Sequence, residues 1–109
     1  KYPFSSTEWN MRPLGVQIYN LAYKSGVAWN ETAFANPEFD AALAEANAIN
    51  DADARREVMA RLEQIMLDEG VLIQPYWRSL YRSAAPNVRG AEMHPTFEHH
   101  HYKWWIAPN

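Results

Sequence analysis

The stretch that decides the fold is residues 29–77, WNETAFANPEFDAALAEANAINDADARREVMARLEQIMLDEGVLIQPYW. Asn36 can cap a helix because its side chain accepts hydrogen bonds from free backbone N–H groups, and Pro37 suits the first helical position. Apolar residues then recur at helical spacing, namely Phe39, Ala42, Leu43, Ala46 and Ile49. This pattern predicts a capped amphipathic helix.

A second amphipathic helix is predicted after a short break. Asn50 or Asp51 can cap it, and Gly70 can supply the left-handed residue that ends it. Its buried side is predicted to consist of Val58, Leu62, Ile65 and Met66. Residues 71–77 are apolar and contain one proline, so they predict a short strand that the proline ends or places at a sheet edge.

The flanking segments give weaker patterns. Residues 4–9 are moderately apolar and predict a strand, and residues 13–23 predict a helix that Gly15 weakens. Residues 27–35 are expected to form a loop. The predictions beyond Trp77 are extended chain over 80–82, a turn at Pro86 and Asn87, extended chain over 88–93 and an aromatic strand over 101–106.

The order of these residues resembles the C-terminal part of the dipeptide- and oligopeptide-type solute-binding proteins of ABC importers, extracellular solute-binding protein family 5. The matching positions are Asn30, Asn36, Pro37, Glu38, Phe39, Asp40, Leu43, Ala46, Asp51, Arg55, Gln64, Ile65 and the run Ile73, Gln74, Pro75 and Tyr76. Trp9 upstream and the run Val88, Arg89 and Gly90 downstream match as well. The resemblance therefore covers nearly the whole chain.

The resemblance implies an α/β fold, as the C-terminal fragment of a bilobed type II periplasmic-binding-protein fold. Family members run to several hundred residues and this chain has 109, so a fragment is expected. Residues 1–72 are expected to belong to the second lobe, as a strand, a helix, a loop and two helices. Residues 73–109 are expected to form a strand crossing the hinge and a C-terminal segment returning to the first lobe.

Many aromatic side chains lie outside the two clear helices. They are Tyr2, Phe4, Trp9, Tyr76, Trp77, Tyr81, Phe97, Tyr102, Trp104 and Trp105. Large aromatic rings dominate burial energetics, so this distribution indicates a surface meant for contacts with the rest of a larger protein. The alternative is a compact α/β domain that buries these rings itself.

The run Trp9, Asn10, Met11 and Arg12 is the predicted ligand-binding segment. It is expected to lie at a strand-to-helix junction, where free N–H groups of the helix favour anionic ligand groups. In peptide-binding relatives the resemblance implies an Asp here that holds the peptide's amino terminus, whereas this chain has Arg12. A guanidinium repels an ammonium group and pairs with a carboxylate or phosphate. The alternative is that Arg12 pairs with an acid such as Glu8 or lies on the surface.

Other aromatic residues are candidates for the walls of the ligand cleft. Trp9 and Trp29 each offer a broad apolar face with one hydrogen-bond donor. Core packing is the competing role, and it is favoured for Trp29. Asn30 is expected to satisfy loop backbone groups, and Tyr76 and Trp77 either line the hinge side of the cleft or pack in a hinge core.

Four histidines cluster near the C-terminal end of the sequence: His94, His99, His100 and His101. Three consecutive residues on an extended chain alternate faces, so only His99 and His101 are expected to share one. No carboxylate or thiolate spacing indicates a complete tetrahedral set. Structural or surface histidines are therefore favoured, and neither a metal ion nor a cofactor is predicted.

Composition excludes several classes of function. A net charge of −3, from 10 basic and 13 acidic residues, provides no basic surface for nucleic acid. No apolar stretch approaches the roughly 20 residues that span a bilayer. There is no cysteine nucleophile, glycine-rich phosphate loop, metalloprotease helix or serine-hydrolase motif, so an enzyme is not predicted.

The expected function is the solute-binding component of an ABC importer, which captures a small peptide-like or anionic solute between two lobes. Its expected partners are that solute, the transmembrane permease subunits and the remainder of the same binding protein. A periplasmic location is implied by the resemblance alone. Two alternatives stay open, a sensor-type binding protein that presents its ligand to a receptor and a small self-contained protein-interaction module.

Overall fold

The computed structural model of the chain describes residues 4–108. These residues divide into a helical unit, Arg12–Pro75, and a terminal unit formed by residues 4–11 together with 76–108. The chain therefore passes from one unit to the other twice. The assignment of the chain to two lobes, divided at residue 72, stays a prediction.

The first helix of the helical unit is short and changes type after one turn. α1 spans Gly15–Ile18, and a π-helix continues over Tyr19–Tyr23. The helix predicted over 13–23 is thus confirmed, but it begins two residues later because Leu14 is extended, with φ −122° and ψ 135°. The Leu14 N–H donates to the side-chain oxygen of Gln17 at 3.2 Å, so a side chain from the first turn caps the start of the helix.

An asparagine side chain accounts for the π-helical turn. The Asn20 amide donates to the carbonyl of Val16 at 2.7 Å, where it competes with the backbone ladder. The N–H of Lys24 then bonds the carbonyl of Tyr19 at 2.9 Å, five residues earlier. Asn20 also exchanges side-chain hydrogen bonds of 3.0 and 3.2 Å with Asn47, which fixes the turn against the next helix.

The second helix, α2, spans Pro37–Ala48. The side chain of Asn36 accepts hydrogen bonds from the backbone N–H groups of Glu38 at 2.9 Å and Phe39 at 3.1 Å. Both donors belong to the first turn, where no backbone acceptor exists within the helix. The predicted cap and the proline at the start of this helix are confirmed.

The third helix, α3, spans Ala52–Asp68. Asp51, and not Asn50, caps it, since its carboxylate accepts from the backbone N–H of Ala54 at 2.8 Å. This settles the alternative that the sequence leaves open at the break between the helices.

The end of α3 is a Schellman motif. Gly70 has φ +60°, and its N–H bonds the carbonyl of Leu67 at 3.1 Å. The N–H of Val71 bonds the carbonyl of Met66 at 3.2 Å, and the Val71 side chain packs against the core. The predicted role of Gly70 is confirmed.

The core of the helical unit lies where α2 packs against α3 and α1 packs against α2. Its largest fully buried side chains are Phe39, Leu43 and Leu62. Val16, Ala42, Ala46, Val58 and Met66 complete the buried cluster. The Phe39 ring meets Tyr19 and Phe34 edge-on, with centroid distances of 5.4 and 5.2 Å. The predicted buried faces are confirmed, except that Ile49 and Ile65 are only partly buried.

The position of Tyr19 against this core predicts a loss of stability in alkali. Burial, with the charges of Glu63 and Tyr23 as smaller causes, raises the pKa of Tyr19 to about 12. A pKa above the ordinary value of 10 favours the neutral ring in the folded state. The stabilisation is therefore complete below pH 10 and is lost as the pH rises to about 12.

We expect the free energy of unfolding of the helical unit to fall by up to about 2 kcal/mol across this range, after allowance for solvent screening. Tyr19→Phe should remove much of that fall, and Tyr23, whose pKa is also raised by burial, should account for part of the rest. Urea titrations followed by circular dichroism at 222 nm measure the effect. Tyr102→Phe, at an exposed ring, is the control. Equal pH slopes for Tyr19→Phe and the unmodified chain would contradict the prediction.

The terminal unit contains a two-stranded antiparallel sheet. β1 spans Val88–Arg89 and β2 spans Trp105–Ile106, with Val88 opposite Ile106 and Arg89 opposite Trp105. A 3₁₀ turn over His101–Lys103 precedes β2. The predicted turn at Pro86 and Asn87 is confirmed, because the Val88 N–H bonds the carbonyl of Ala85 at 2.9 Å. The extended segments predicted over 88–93 and 101–106 are each reduced to two paired residues.

Two predicted strands are wrong. Residues 5–12 and residues 71–81 contain no regular secondary structure. A strand needs a neighbouring strand, and the sheet within residues 4–108 consists of β1 and β2, so neither segment is part of it. The sequence pattern shows that these segments have residues typical of strands. It does not show whether a neighbouring strand is available to pair with them.

The aromatic rings of the terminal unit are mostly on the surface. Six of the ten predicted outlying rings are exposed, namely Phe4, Tyr76, Trp77, Tyr81, Tyr102 and Trp105. Trp9, Phe97 and Trp104 are half-buried, and Tyr2 lies outside the described residues. The alternative of a domain that buries these rings itself is wrong for the six exposed ones. Within residues 4–108, no helix is both long enough and apolar enough to cross a membrane.

Candidate functional site

The predicted ligand segment divides between the two units. Trp9, Asn10 and Met11 belong to the terminal unit, and Arg12 begins the helical unit. Trp9 and Arg12 are half-buried, whereas Asn10 and Met11 are exposed. The predicted strand-to-helix junction is wrong, because residues 5–12 contain no strand. The roles of these four side chains in binding stay predictions.

Glu8, the acid named as an alternative partner of Arg12, forms an ion pair with Arg78. The two side chains approach to 2.6 Å within the terminal unit, and both are largely exposed. An exposed pair of this kind contributes about 0–1 kcal/mol to stability. The pair therefore connects two segments of the terminal unit without dominating its energetics.

Trp29 lies at the edge of a shallow depression in the helical unit. The depression has a volume of about 220 Å³ and is lined by Asn20, Leu21, Val27, Ala28 and Trp29. Trp29 is 55 % exposed, so core packing, the role that the sequence favours for it, is wrong. Binding pockets for small molecules usually measure about 300–1,000 Å³, so this depression alone is too small and too open to enclose a solute.

Asn30 organises the loop that carries Trp29. Its side-chain amide donates to the carbonyl of Phe34 at 2.8 Å and to that of Lys24 at 3.3 Å. Its side-chain oxygen accepts from the backbone N–H and the hydroxyl of Thr32 at 3.2 and 2.9 Å. The prediction that Asn30 satisfies loop backbone groups is confirmed, and Trp29 is thereby presented on a well-bonded turn.

A cationic side chain organises the histidine segment of the terminal unit. Arg82 donates to the carbonyl of Glu92 at 2.8 Å, and its guanidinium lies 3.2 Å from a ring nitrogen of His99. The same guanidinium lies 5.3 Å from the Trp104 ring centroid. The rings of His99 and His101 stack at 5.5 Å with planes 12° apart, so the prediction that these two share a face is confirmed.

The sequence reasoning missed that one carboxylate, Glu98, lies beside two of the histidines. Side-chain atoms of His94, Glu98 and His100 that can bind a metal all lie within 4.8 Å of one another. His100 Nε2 is 2.9 Å from one Glu98 oxygen, and His94 Nδ1 is 3.9 Å from the other. The Thr96 hydroxyl lies 2.8 Å from His94 Nδ1 and donates to Glu98 at 3.0 Å, which orients both side chains.

A tight turn brings these three side chains together. The N–H of Phe97 bonds the carbonyl of His94 at 3.0 Å across Pro95 and Thr96, and Phe97 adopts a left-handed φ of +62°. Proline presets the backbone for such a turn, so Pro95 was the sequence signal for the reversal. The hydrogen bonds from His100 and then Thr96, with the charge of His94, lower the pKa of Glu98.

Within residues 4–108, one buried polar side-chain atom has no hydrogen-bond partner. It is the indole nitrogen of Trp104, beside the stacked histidines. A buried donor without an acceptor costs about 1–3 kcal/mol.

Comparison of the chain with protein-family models, curated proteins and solved structures found no match. The resemblance to family 5 stays a prediction.

Proposed function

We propose that the chain is the C-terminal part of a solute-binding protein of an ABC importer, of the kind grouped in extracellular solute-binding protein family 5. In this proposal the complete protein, located in the periplasm, closes two lobes around a small solute. Binding shifts an equilibrium between open and closed forms, and the permease subunits recognise the closed form. The chain binds and delivers the solute without reacting with it.

One observation carries the proposal: the residues that make up the resemblance have distinct structural roles in the helical unit. Asn36 and Asp51 cap the two long helices, and Phe39 fills the core. Asp40 accepts from the N–H of Ser25 at 3.0 Å, which fastens the preceding loop to α2. Such a set supports a shared fold more strongly than a similarity of composition, since each residue type is required by a particular hydrogen bond or contact.

A further matched residue closes the break between the helices. The guanidinium of Arg55 donates to the carbonyl of Ile49 at 3.0 Å, at a point where α2 has ended and α3 has not begun. That carbonyl is one of the unsatisfied groups that every helix end leaves. The match at Arg55 is thus explained by the helix pair and is independent of any ligand.

Arg12 sets the proposed class of solute. A guanidinium at the position where peptide-binding relatives carry an acid favours a ligand with an exposed carboxylate or phosphate. The proposed solute is therefore anionic or a peptide-like molecule without a free amino terminus at this place.

In the complete protein, Arg12→Ala is expected to weaken binding of such a solute at least about tenfold, because a charge-assisted hydrogen bond contributes about 1.5–3 kcal/mol. A thermal-shift screen of peptides, N-acylated peptides, organic acids and phosphorylated solutes selects the probe, and calorimetry measures its affinity. Arg56→Ala, which removes an exposed ion pair with Asp53, is the matched control. Unchanged affinity excludes Arg12 from the site, and a screen in which no solute stabilises the protein rejects the function itself.

The exposed aromatic rings support one alternative, a protein-interaction module that uses them to bind a separate protein. Trp77 and Tyr81 are each 86 % exposed, which is unusual for side chains of this size. The two proposals differ in what covers the rings. If the 109-residue chain alone is monomeric with a cooperative melt, the module is favoured, whereas a chain that aggregates until the rest of the binding protein is added favours the importer component. A signalling defect without a transport defect in a deletion strain would instead indicate a sensor.

A further inference from the structure

Two imidazoles and one carboxylate form the densest group of metal-binding side chains in the described part of the chain. The group consists of His94, Glu98 and His100, and it lies entirely within the terminal unit. Imidazole and carboxylate together suit borderline divalent ions such as Zn²⁺, whereas Mg²⁺ and Ca²⁺ prefer sites built from oxygen alone.

The distances are close to those of a coordinated ion. With metal–ligand bonds of about 2.0–2.1 Å, the ligand atoms of a tetrahedral Zn²⁺ site are about 3.3 Å apart. His100 Nε2 lies 2.9 Å from one Glu98 oxygen and His94 Nδ1 lies 3.9 Å from the other, and one ligand atom from each of the three residues falls within 4.8 Å of the others. Movements of about an ångström, which rotation of exposed side chains can supply, therefore convert the hydrogen-bonded group into a coordinating one.

Backbone and side-chain contacts hold the group together without an ion. The turn from His94 to Phe97 reverses the chain, and the Thr96 hydroxyl bridges His94 and Glu98. The Thr96 contacts fall on His94 Nδ1 itself, since the Thr96 N–H also donates to that nitrogen at 3.3 Å, so an ion bound there replaces them. The fold therefore already holds His94 beside Glu98. Ion binding does not have to order this turn, so it does not carry that entropic cost.

Solvent can reach the group. The side chains of His94, Glu98 and His100 are 37 %, 57 % and 31 % exposed. An ion can therefore enter, and three protein ligands leave a fourth tetrahedral position for water or a ligand atom.

We propose that His94, Glu98 and His100 bind a divalent transition-metal ion, with Zn²⁺ as the best-matched ion. The stacked pair His99 and His101 lies outside this site. The proposal is independent of the importer function, because it rests on residues that the family resemblance does not use and needs no solute.

Calorimetric titration of the full chain with Zn²⁺ tests the proposal, on protein prepared without a polyhistidine tag and freed of metal by a chelator. We expect saturation at one ion per chain. His94→Ala and His100→Ala should each weaken binding at least about tenfold, as should Glu98→Gln, which keeps the shape of the side chain and removes its charge. Mg²⁺ under the same conditions should give no saturable binding.

His99→Ala and His101→Ala are the matched controls, because they alter the same histidine run outside the proposed site. They should leave the Zn²⁺ affinity within about twofold. Absence of saturable Zn²⁺ binding overturns the proposal. A loss in these controls equal to that in His94→Ala also overturns it, since the ion would then bind the histidine run in general. Circular dichroism and the tryptophan emission of each variant check that the fold is retained.

Discussion

Leu62→Ala is expected to lower the free energy of unfolding of the helical unit by about 3 kcal/mol. Leu62 is 0 % exposed in the core that α2 and α3 share. Truncation of a buried leucine loses its transfer free energy and leaves a cavity, at a total cost of about 2–5 kcal/mol. For a unit of this size the loss corresponds to a fall of about 15 °C in melting temperature. Thermal and urea unfolding followed at 222 nm measures it, since most of the regular helix lies in this unit.

Leu67→Ala is the matched control, because it makes the same chemical change in the same helix. Leu67 is 73 % exposed, so the change should stay within about 0.5 kcal/mol. Alanine also has a slightly higher helix propensity than leucine, which further reduces the expected loss of stability in Leu67→Ala. Equal losses at the two positions would show that α3 does not pack through its Leu62 face.

The helix pair could be predicted from the sequence because its determinants are local. Asn36, Asp51 and Gly70 act on backbone groups within a few residues, so their chemistry can be read without knowledge of the fold. The buried faces follow from spacing alone, which is why Phe39 and Leu62 were both placed in the core. The π-helical turn could not be predicted, because it depends on the side chain of Asn20 and its partner in α2.

The strands could not be predicted with the same success. Residues 4–9 and 71–77 have apolar patterns typical of strands, but a strand depends on a partner that can lie anywhere in the chain or beyond it. The observed pair joins Val88 to Ile106, a contact that no local pattern specifies. Ile73 illustrates this. It is an apolar residue of a predicted strand, and its side chain is exposed because the segment does not join the sheet.

The group of His94, Glu98 and His100 could not be predicted from the sequence either, because it depends on a single turn of the backbone. Face alternation correctly pairs His99 with His101 but assumes a straight chain. The chain is not straight before His99, because it turns at Pro95. This turn places His94 beside Glu98 and His100. The predicted ligand segment around Arg12 has no regular secondary structure, so no local pattern in the sequence specifies the geometry of its side chains.

Gly90→Ala is expected to disrupt the terminal unit at a cost of about 3 kcal/mol or more. Gly90 has φ +73°, which costs an alanine about 1–2 kcal/mol. A Cβ atom there would also lie 2.1 Å from the backbone oxygen of Lys103, which cannot turn aside as a side chain can. The 3₁₀ turn must then move away from β1, and the pairing of Arg89 with Trp105 is lost with it.

Gly26→Ala separates the two causes of this loss. Gly26 has the same φ of +73°, but no atom lies within 4 Å of the position that its Cβ would take. Strain alone should therefore cost about 1 kcal/mol in the helical unit. Amide hydrogen exchange measures both variants, and in Gly90→Ala the N–H of Ala107, which bonds the carbonyl of Asn87 at 2.8 Å, should lose its protection. Protection of that amide in Gly90→Ala equal to that in the unmodified chain would mean that β1 and the turn before β2 are not in contact at Gly90. If Gly90→Ala destabilised its unit no more than Gly26→Ala does, left-handed backbone strain alone would explain why position 90 requires glycine. The close approach to Lys103 would then not contribute.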